Sequence, residues 1–160
     1  MTHREYNNCV DLYADGVYRF VVKNLQNEED AKDIVQDAFV KMWEKKDSIN
    51  NETARSYLFT AAYRTMLDKI KKHKPVSVEV TTYKEPNHSN SYSDASEHIE
   101  RALQQLPEKQ KAAVTLRDYE GYNYNEIGEI LNMNESQVKV TIFRARKTLK
   151  TILGSIEALI

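Results

Sequence analysis

Residues 122–150, YNYNEIGEILNMNESQVKVTIFRARKTLK, decide how this chain is read. Tyr124 to Leu131 put Ile127, Ile130 and Leu131 on one face of a short helix. Asn132, Met133 and Asn134 then break it, and Asn134 is placed to cap a second helix whose first turn holds Glu135. Along that helix Val138, Ile142, Ala145 and Leu149 recur at steps of four, three and four, the spacing of a buried stripe. Lys139, Arg144, Arg146, Lys147 and Lys150 make five basic residues with no acidic one between them. Two short helices around a tight turn, the second strongly basic, are the layout of a helix-turn-helix, and such charge suits a groove lined with phosphates.

Upstream of this motif, Glu108 to Tyr119 reads as a helix with Pro107 as its first residue, where the missing N–H of proline costs nothing. The turn Glu120-Gly121-Tyr122 joins it to the motif, and a further helix spans Ala95 to Leu106. Before that, residues 75–96, PVSVEVTTYKEPNHSNSYSDAS, lose all helical period and read as a linker. Within it Val76, Val78 and Val80 alternate as an edge strand or an extended segment would.

Three amphipathic helices fill the first 74 residues. The second is the clearest, because Ala31, Ile34, Val35, Ala38, Phe39, Met42 and Trp43 fall at steps of three and four; this spacing assigns Phe39 and Trp43 to the core. Asn27 is its expected cap, with Glu28, Glu29 and Asp30 at the positive end of the helix dipole. The third, about Thr53 to Lys72, carries Tyr57, Phe59 and Tyr63 among Leu58, Ala62, Met66, Leu67 and Ile70, more than one packed stripe can hold. The expected fold is all-α: an N-terminal three- to four-helix bundle over 1–74, a flexible linker over 75–96, and a C-terminal four-helix domain with the helix-turn-helix over 97–160. Whether the two units pack together is left open.

Net charge is −1, but it is segregated. Glu28, Glu29, Asp30, Asp33 and Asp37 stand against Lys32 alone in residues 28–37, whereas Arg55, Arg64, Lys69, Lys71, Lys72 and Lys74 stand against Asp68 alone in residues 55–74. The chain thus offers an acidic surface and two basic ones, and for a nucleic-acid binder the local field outweighs the total. A single cysteine, Cys9, excludes an internal disulfide, and His3, His73, His88 and His98 have no ligand-like spacing, so neither a metal nor another cofactor is expected. There is no glycine-rich phosphate loop, no nucleophile with a plausible histidine partner and no paired carboxylates in an expected cleft, so neither an enzyme nor a small-molecule substrate is expected. With no run of about eighteen apolar residues and no apolar core in MTHREYNNC, a cytoplasmic location is expected.

From about residue 10 to 153 the chain resembles the small bacterial sigma factors of the extracytoplasmic-function type. EEDAKDIVQDAFVKMWEK (28–45) is similar to the family helix that grips the coiled coil of the polymerase β′ subunit, and ARSYLFTAAYRTMLDKIKK (54–72) to the segment that meets the promoter −10 element. LQQLPEKQKAAVTLRDYEGYNYNEIGEILNMNESQVKVTIFRARKTLK (103–150) resembles the family domain that reads the −35 element. The resemblance implies that Asp33, Gln36 and Asp37 dock on core RNA polymerase. It also implies that Tyr57, Tyr63 and Arg64 hold unstacked −10 bases while Lys69, Lys71 and Lys72 follow the backbone, since stacking on aromatic rings stabilises by about 1–3 kcal/mol per base. On the recognition helix it nominates Ser136, Gln137, Lys139, Val140 and Thr141 for base edges, with Gln137 suited to adenine, Lys139 to guanine, and Val140 and Thr141 to thymine methyls. Arg144, Arg146 and Lys147 would bind phosphate and set register.

The implied partners are core polymerase, promoter DNA and an anti-sigma factor, typically membrane-anchored. A 22-residue linker reaches at most about 70–80 Å, enough for elements roughly 17 base pairs, or about 58 Å, apart. The competing reading is a free-standing helix-turn-helix regulator that binds duplex DNA alone and uses its N-terminal helices to dimerise or to sense a ligand.

Overall fold

The computed structural model describes residues 1–73 and 91–158, so Val76, Val78 and Val80 and most of the expected linker lie outside the described residues. The described residues are helical, without strands, in seven helices. They are α1 (His3–Leu25), α2 (Glu28–Glu44), α3 (Ala54–His73), α4 (Ser91–Gln104), α5 (Glu108–Asp118), α6 (Tyr124–Leu131) and α7 (Glu135–Ala158).

Local chemistry sets most of the boundaries. Thr2 and Glu5 form a reciprocal capping box that starts α1, and Gln26 ends it in the left-handed conformation with φ 58°. Asn27 caps α2 by accepting from the Asp30 amide. Asn123 does the same for α6 through the Glu126 amide. Pro107 stands one place earlier than its sequence position suggests, as the N-cap of α5 with extended ψ of 149°. α4 begins at Ser91, four residues before the expected start and inside the segment read as a linker: Tyr92 extends the three-and-four spacing of Ala95, Ile99 and Leu103 upstream, but it stands in a run of Ser, Asn and Asp whose composition reads as a linker. Residues wound into helix rise about 1.5 Å each in place of about 3.3 Å extended, which shortens the available reach.

In the N-terminal unit α1, α2 and α3 bury Val17, Phe20, Val21, Ile34, Ala38, Met42, Leu58, Ala62 and Met66. Phe39 is buried as its spacing implies, but Trp43 is 38% exposed. The Trp43 ring lies against His3 and Tyr6 in the first turns of α1, at the rim of the α1–α2 contact rather than inside it. It meets Tyr6 edge-on at 4.9 Å, while Lys46 Nζ sits 3.5 Å from its centroid on a face. In the C-terminal unit α4, α5, α6 and α7 enclose Leu103, Leu106, Val114, Leu116, Ile127, Ile130, Val138, Ile142 and Ala145, with Leu149 half-buried at the edge.

The two units share a core. α1 packs on α4 and α5, and α3 packs on α6. Phe59 of α3 stacks against Phe20 of α1 at 5.7 Å and meets Tyr122 of the α5–α6 turn edge-on at 5.0 Å. Tyr122 is fully buried, so the hydrophobic cluster runs without a break from one unit into the other.

Candidate nucleic-acid interface

The helix-turn-helix forms because its turn is both capped and tightly packed. Asn132 takes φ 57°, and the Met133 amide returns to the Gly128 carbonyl at 2.9 Å. A Cβ on Gly128 would stand 2.5 Å from the Met133 carbonyl oxygen, so only glycine lets the turn fold back on α6. Asn134 Oδ1 accepts from the Gln137 amide at 2.8 Å, and Gln137 Oε1 accepts from the Asn134 amide at 2.9 Å. This capping box starts α7, and it already uses the side-chain oxygen of Gln137.

Ser136, Gln137, Lys139 and Val140 are exposed on the first turns of α7, and Thr141 is half-buried, its hydroxyl donating to the Gln137 carbonyl at 2.7 Å. Ser136, Gln137, Val140, Thr141 and Arg144 line a groove together with Lys109 of α5. A second, more apolar groove on the other flank is lined by Tyr124, Phe143, Lys139, Arg146 and Lys147. The basic residues are not equivalent. Arg144 and Lys147 are exposed. Lys139 pairs loosely with Glu135 at 3.6 Å, and Arg146 is tied to Asp118 of α5 at 2.6 Å, a bond that pushes the guanidinium pKa up against a smaller effect of burial.

α3 presents its candidates differently. Tyr57 and Arg64 line a groove whose far wall includes Glu129 of α6. Tyr63 is 4% exposed, and its hydroxyl donates to Glu108 Oε1 at the start of α5 at 3.1 Å. Burial pushes this phenol well above its ordinary pKa, and the Glu108 carboxylate adds to the effect. Lys69 reaches Asp30 of α2 at 3.3 Å, whereas Lys71 and Lys72 are exposed.

On α2, Asp33 and Gln36 are exposed. Asp37 is half-buried, paired with Lys41 at 3.0 Å and 3.3 Å from the hydroxyl of Thr65 on α3. Part of the acidic and basic segregation seen in the sequence is therefore neutralised across the α2–α3 contact.

The residues that join the two units form a further polar group that sequence reading does not nominate. Arg19 grips both carboxylate oxygens of Glu120 at 2.7 and 2.8 Å, and Arg55 donates to the Glu120 carbonyl at 2.9 Å while lying 3.8 Å from the Tyr122 ring centroid. Asn24 donates to Thr115 at 3.0 Å, and Lys111 donates to the Asn24 carbonyl at 2.8 Å and to Gln104 at 2.9 Å. Burial lowers the pKa of Lys111, with Glu108 opposing. Glu120 and Tyr122 belong to a turn with no helical period, so their only local signal is the glycine between them. Among the described residues no cluster of His, Cys, Asp and Glu could hold a metal, and no helix is long and apolar enough to cross a membrane.

Family models for Sigma-70 region 2 and for Sigma-70, region 4 match residues 9–76 and 96–149. The RNA polymerase sigma factor SigV of Bacillus subtilis (strain 168) is 30% identical over 146 residues, which cover 89% of this chain and 87% of that protein. The chain belongs to the extracytoplasmic-function sigma factors. It is an alternative sigma factor that directs transcription initiation, with core RNA polymerase and promoter DNA as its partners. The ECF RNA polymerase sigma factor SigW of the same bacterium is 29% identical over 162 residues, with 91% of this chain and 87% of that protein covered. The sigma factor RpoE, solved in complex with the anti-sigma factor NepR from Bartonella quintana, has the same fold, with a TM-score of 0.78 at 22% identity over 94% of this chain and 98% of that one. CnrH, solved in complex with the cytosolic domain of CnrY, superposes with a TM-score of 0.74 at 19% identity over 96% of this chain and 90% of that one.

Proposed function

We propose that this sigma factor docks on core polymerase through Asp33, Gln36 and Asp37 of α2, and that α3 holds the melted −10 strand through Tyr57, Tyr63 and Arg64. Lys69, Lys71 and Lys72 follow the −10 backbone. α7 reads the −35 element with Ser136, Gln137, Lys139, Val140 and Thr141, while Arg144, Arg146 and Lys147 bind phosphates. The observation that carries this reading is the pairing of an exposed carboxylate-bearing helix, α2, with an exposed recognition helix in one chain. A free-standing regulator needs only the second.

The protein does no covalent chemistry in this scheme; it positions the polymerase and stabilises the open strand. It works in the cytoplasm. An anti-sigma factor holds it inactive until a signal releases it; the support is by analogy with the sigma factor RpoE, which is solved in complex with the anti-sigma factor NepR.

The test adds the purified chain to sigma-free core polymerase and sequences transcripts from a promoter library. Promoter-specific initiation, lost when Asp33 and Asp37 are both replaced by Lys, is the expected result. Unchanged core binding by that variant would sink the docking assignment, and tight duplex binding without any core binding would favour the regulator.

A further inference from the structure

A glutamine on a recognition helix can meet a base edge in two ways. With its amide N–H and its carbonyl oxygen both free it pairs with adenine, donating to N7 and accepting from N6. With the oxygen occupied it is a donor alone. A donor suits the keto oxygens of thymine and guanine and is repelled by the amino groups of adenine and cytosine.

Gln137 is of the second kind. Its Oε1 accepts from the Asn134 amide at 2.9 Å, while its own backbone amide donates to Asn134 Oδ1 at 2.8 Å. Both bonds satisfy amides at a helix start, where no carbonyl stands one turn back to receive them. Turning the Gln137 oxygen toward a base would leave the Asn134 amide unpaired. What the exposed side chain offers is Nε2 with its two N–H groups.

The surroundings narrow the choice of base. Val140 and Thr141 follow Gln137 by three and four residues, so they share its face of α7, and all three line one groove. Val140 is 46% exposed, and the Thr141 hydroxyl has already donated its proton to the Gln137 carbonyl at 2.7 Å. Lys109 of α5 and Arg144 line the same groove and supply charge for phosphates. Lys139, the residue type suited to guanine, lines the other flank beside Tyr124 and Phe143. The groove thus sets a lone donor beside apolar groups. Thymine carries the complement on its major-groove edge, the O4 acceptor next to the C5 methyl.

We propose that Gln137 reads a thymine of the −35 element, with Nε2 donating to O4 and with Val140 and Thr141 covering the C5 methyl, because the Asn134 capping box withholds the oxygen that adenine needs. This rests on the reading of α7 as the −35 recognition helix.

The test forms holoenzymes from core polymerase and the natural chain, Gln137→Glu or Gln137→Ala. Each initiates on a promoter library randomised upstream of the start, with every promoter identified by a barcode in its transcript. Glutamate can still accept from the Asn134 amide, so α7 keeps its cap, but it has no proton to donate and instead accepts from the N4 amino group of cytosine. One position should prefer thymine by about tenfold with the natural chain, lose that preference with Gln137→Ala, and change to cytosine with Gln137→Glu. Uracil at that position keeps O4 without the methyl and should lower initiation by the natural chain about three- to fourfold. There 5-methylcytosine, which keeps the methyl but presents an amino group, should lower it about tenfold. A Gln137-dependent preference for adenine or guanine, or no Gln137-dependent position at all, would overturn the assignment. So would equal initiation from the thymine and uracil promoters. Arg144→Ala with Lys147→Ala separates the two ways of failing. If that pair weakens upstream recognition across sequences while Gln137→Glu changes no base, the thymine assignment alone falls; if upstream recognition ignores every change on α7, the −35 reading falls with it.

Discussion

The two basic helices α3 and α7 have similar charge and very different exposure. On α7 the candidate base readers face solvent, and the helix is self-capped through Asn134 and Gln137. On α3 the candidate stacking residue Tyr63 is buried against another helix, and Tyr57 lies in a groove that α6 walls off. The difference shows that a basic, aromatic helix is not by itself a surface. What packs on it decides, and here the covering unit is the other half of the same protein.

The contrast breaks most severely at Phe59, whose ring bridges Phe20 and Tyr122. Replacing it with alanine should cost about 3–5 kcal/mol in urea unfolding. Because the ring is shared, both units should loosen, and hydrogen exchange should rise in α3 and α6 while the first turns of α7 change least. A loss below about 1 kcal/mol would mean that the units do not depend on this junction.

Alkaline pH attacks the same seam. Tyr63 and Tyr122 both hold their protons more tightly than a free phenol because they are buried, Arg55 opposing the shift for Tyr122 and Glu108 reinforcing it for Tyr63. Their contribution to stability is fully present below the unfolded value near pH 10. Above it the folded chain binds more protons than the unfolded one, so stability falls as pH rises, by up to about 1.4 kcal/mol per pH unit for each group. Denaturation followed between pH 9 and pH 11.5 should show a steep decline beginning near pH 10; a flat profile would place both phenols in water.

The exposed side of the comparison is sharpened by salt. Replacing Arg144 and Lys147 with alanine should weaken duplex binding across all sequences and flatten the salt dependence by about 0.9 in slope for each phosphate that the protein no longer neutralises. An effect confined to one base position would contradict their phosphate role. The smallest expected effect is at the Tyr122 hydroxyl, which is buried with no hydrogen-bond partner among the described residues. Leaving such a group unpaired costs about 1–3 kcal/mol, so Tyr122→Phe should raise the melting temperature slightly and soften the alkaline decline. A clear drop in stability would reveal a partner for that hydroxyl.

The helix-turn-helix is legible in the sequence because its signals are local. Ile127, Ile130 and Leu131, the break at Asn132 to Asn134, and the stripe from Val138 to Leu149 all act within a turn or two of one another, and the observed α6 and α7 start where those residues put them. α2 is legible for the same reason, from Asn27 through Met42. Trp43 departs from its expected place because its position on the apolar stripe does not reveal that it lies at the rim of the bundle, beside the first turns of α1. The start of α4 escapes sequence reading because Tyr92, though in register with Ala95 and Ile99, is set among Ser, Asn and Asp residues that read as a linker.

The sequence by itself determined the all-α class, the caps at Asn27 and Asn134, the break that makes a helix-turn-helix, and the segregation of acidic and basic residues, since periodicity and capping depend on neighbours three and four residues away. Only the tertiary structure decided that Glu120 meets Arg19 across 101 residues, that Tyr122 enters the core of the other unit, and that Tyr63 is covered while Asp33 is free. Such contacts join residues with no shared period. They follow from how much apolar surface each helix leaves unburied, a quantity set by the whole assembly rather than by any one stretch of chain.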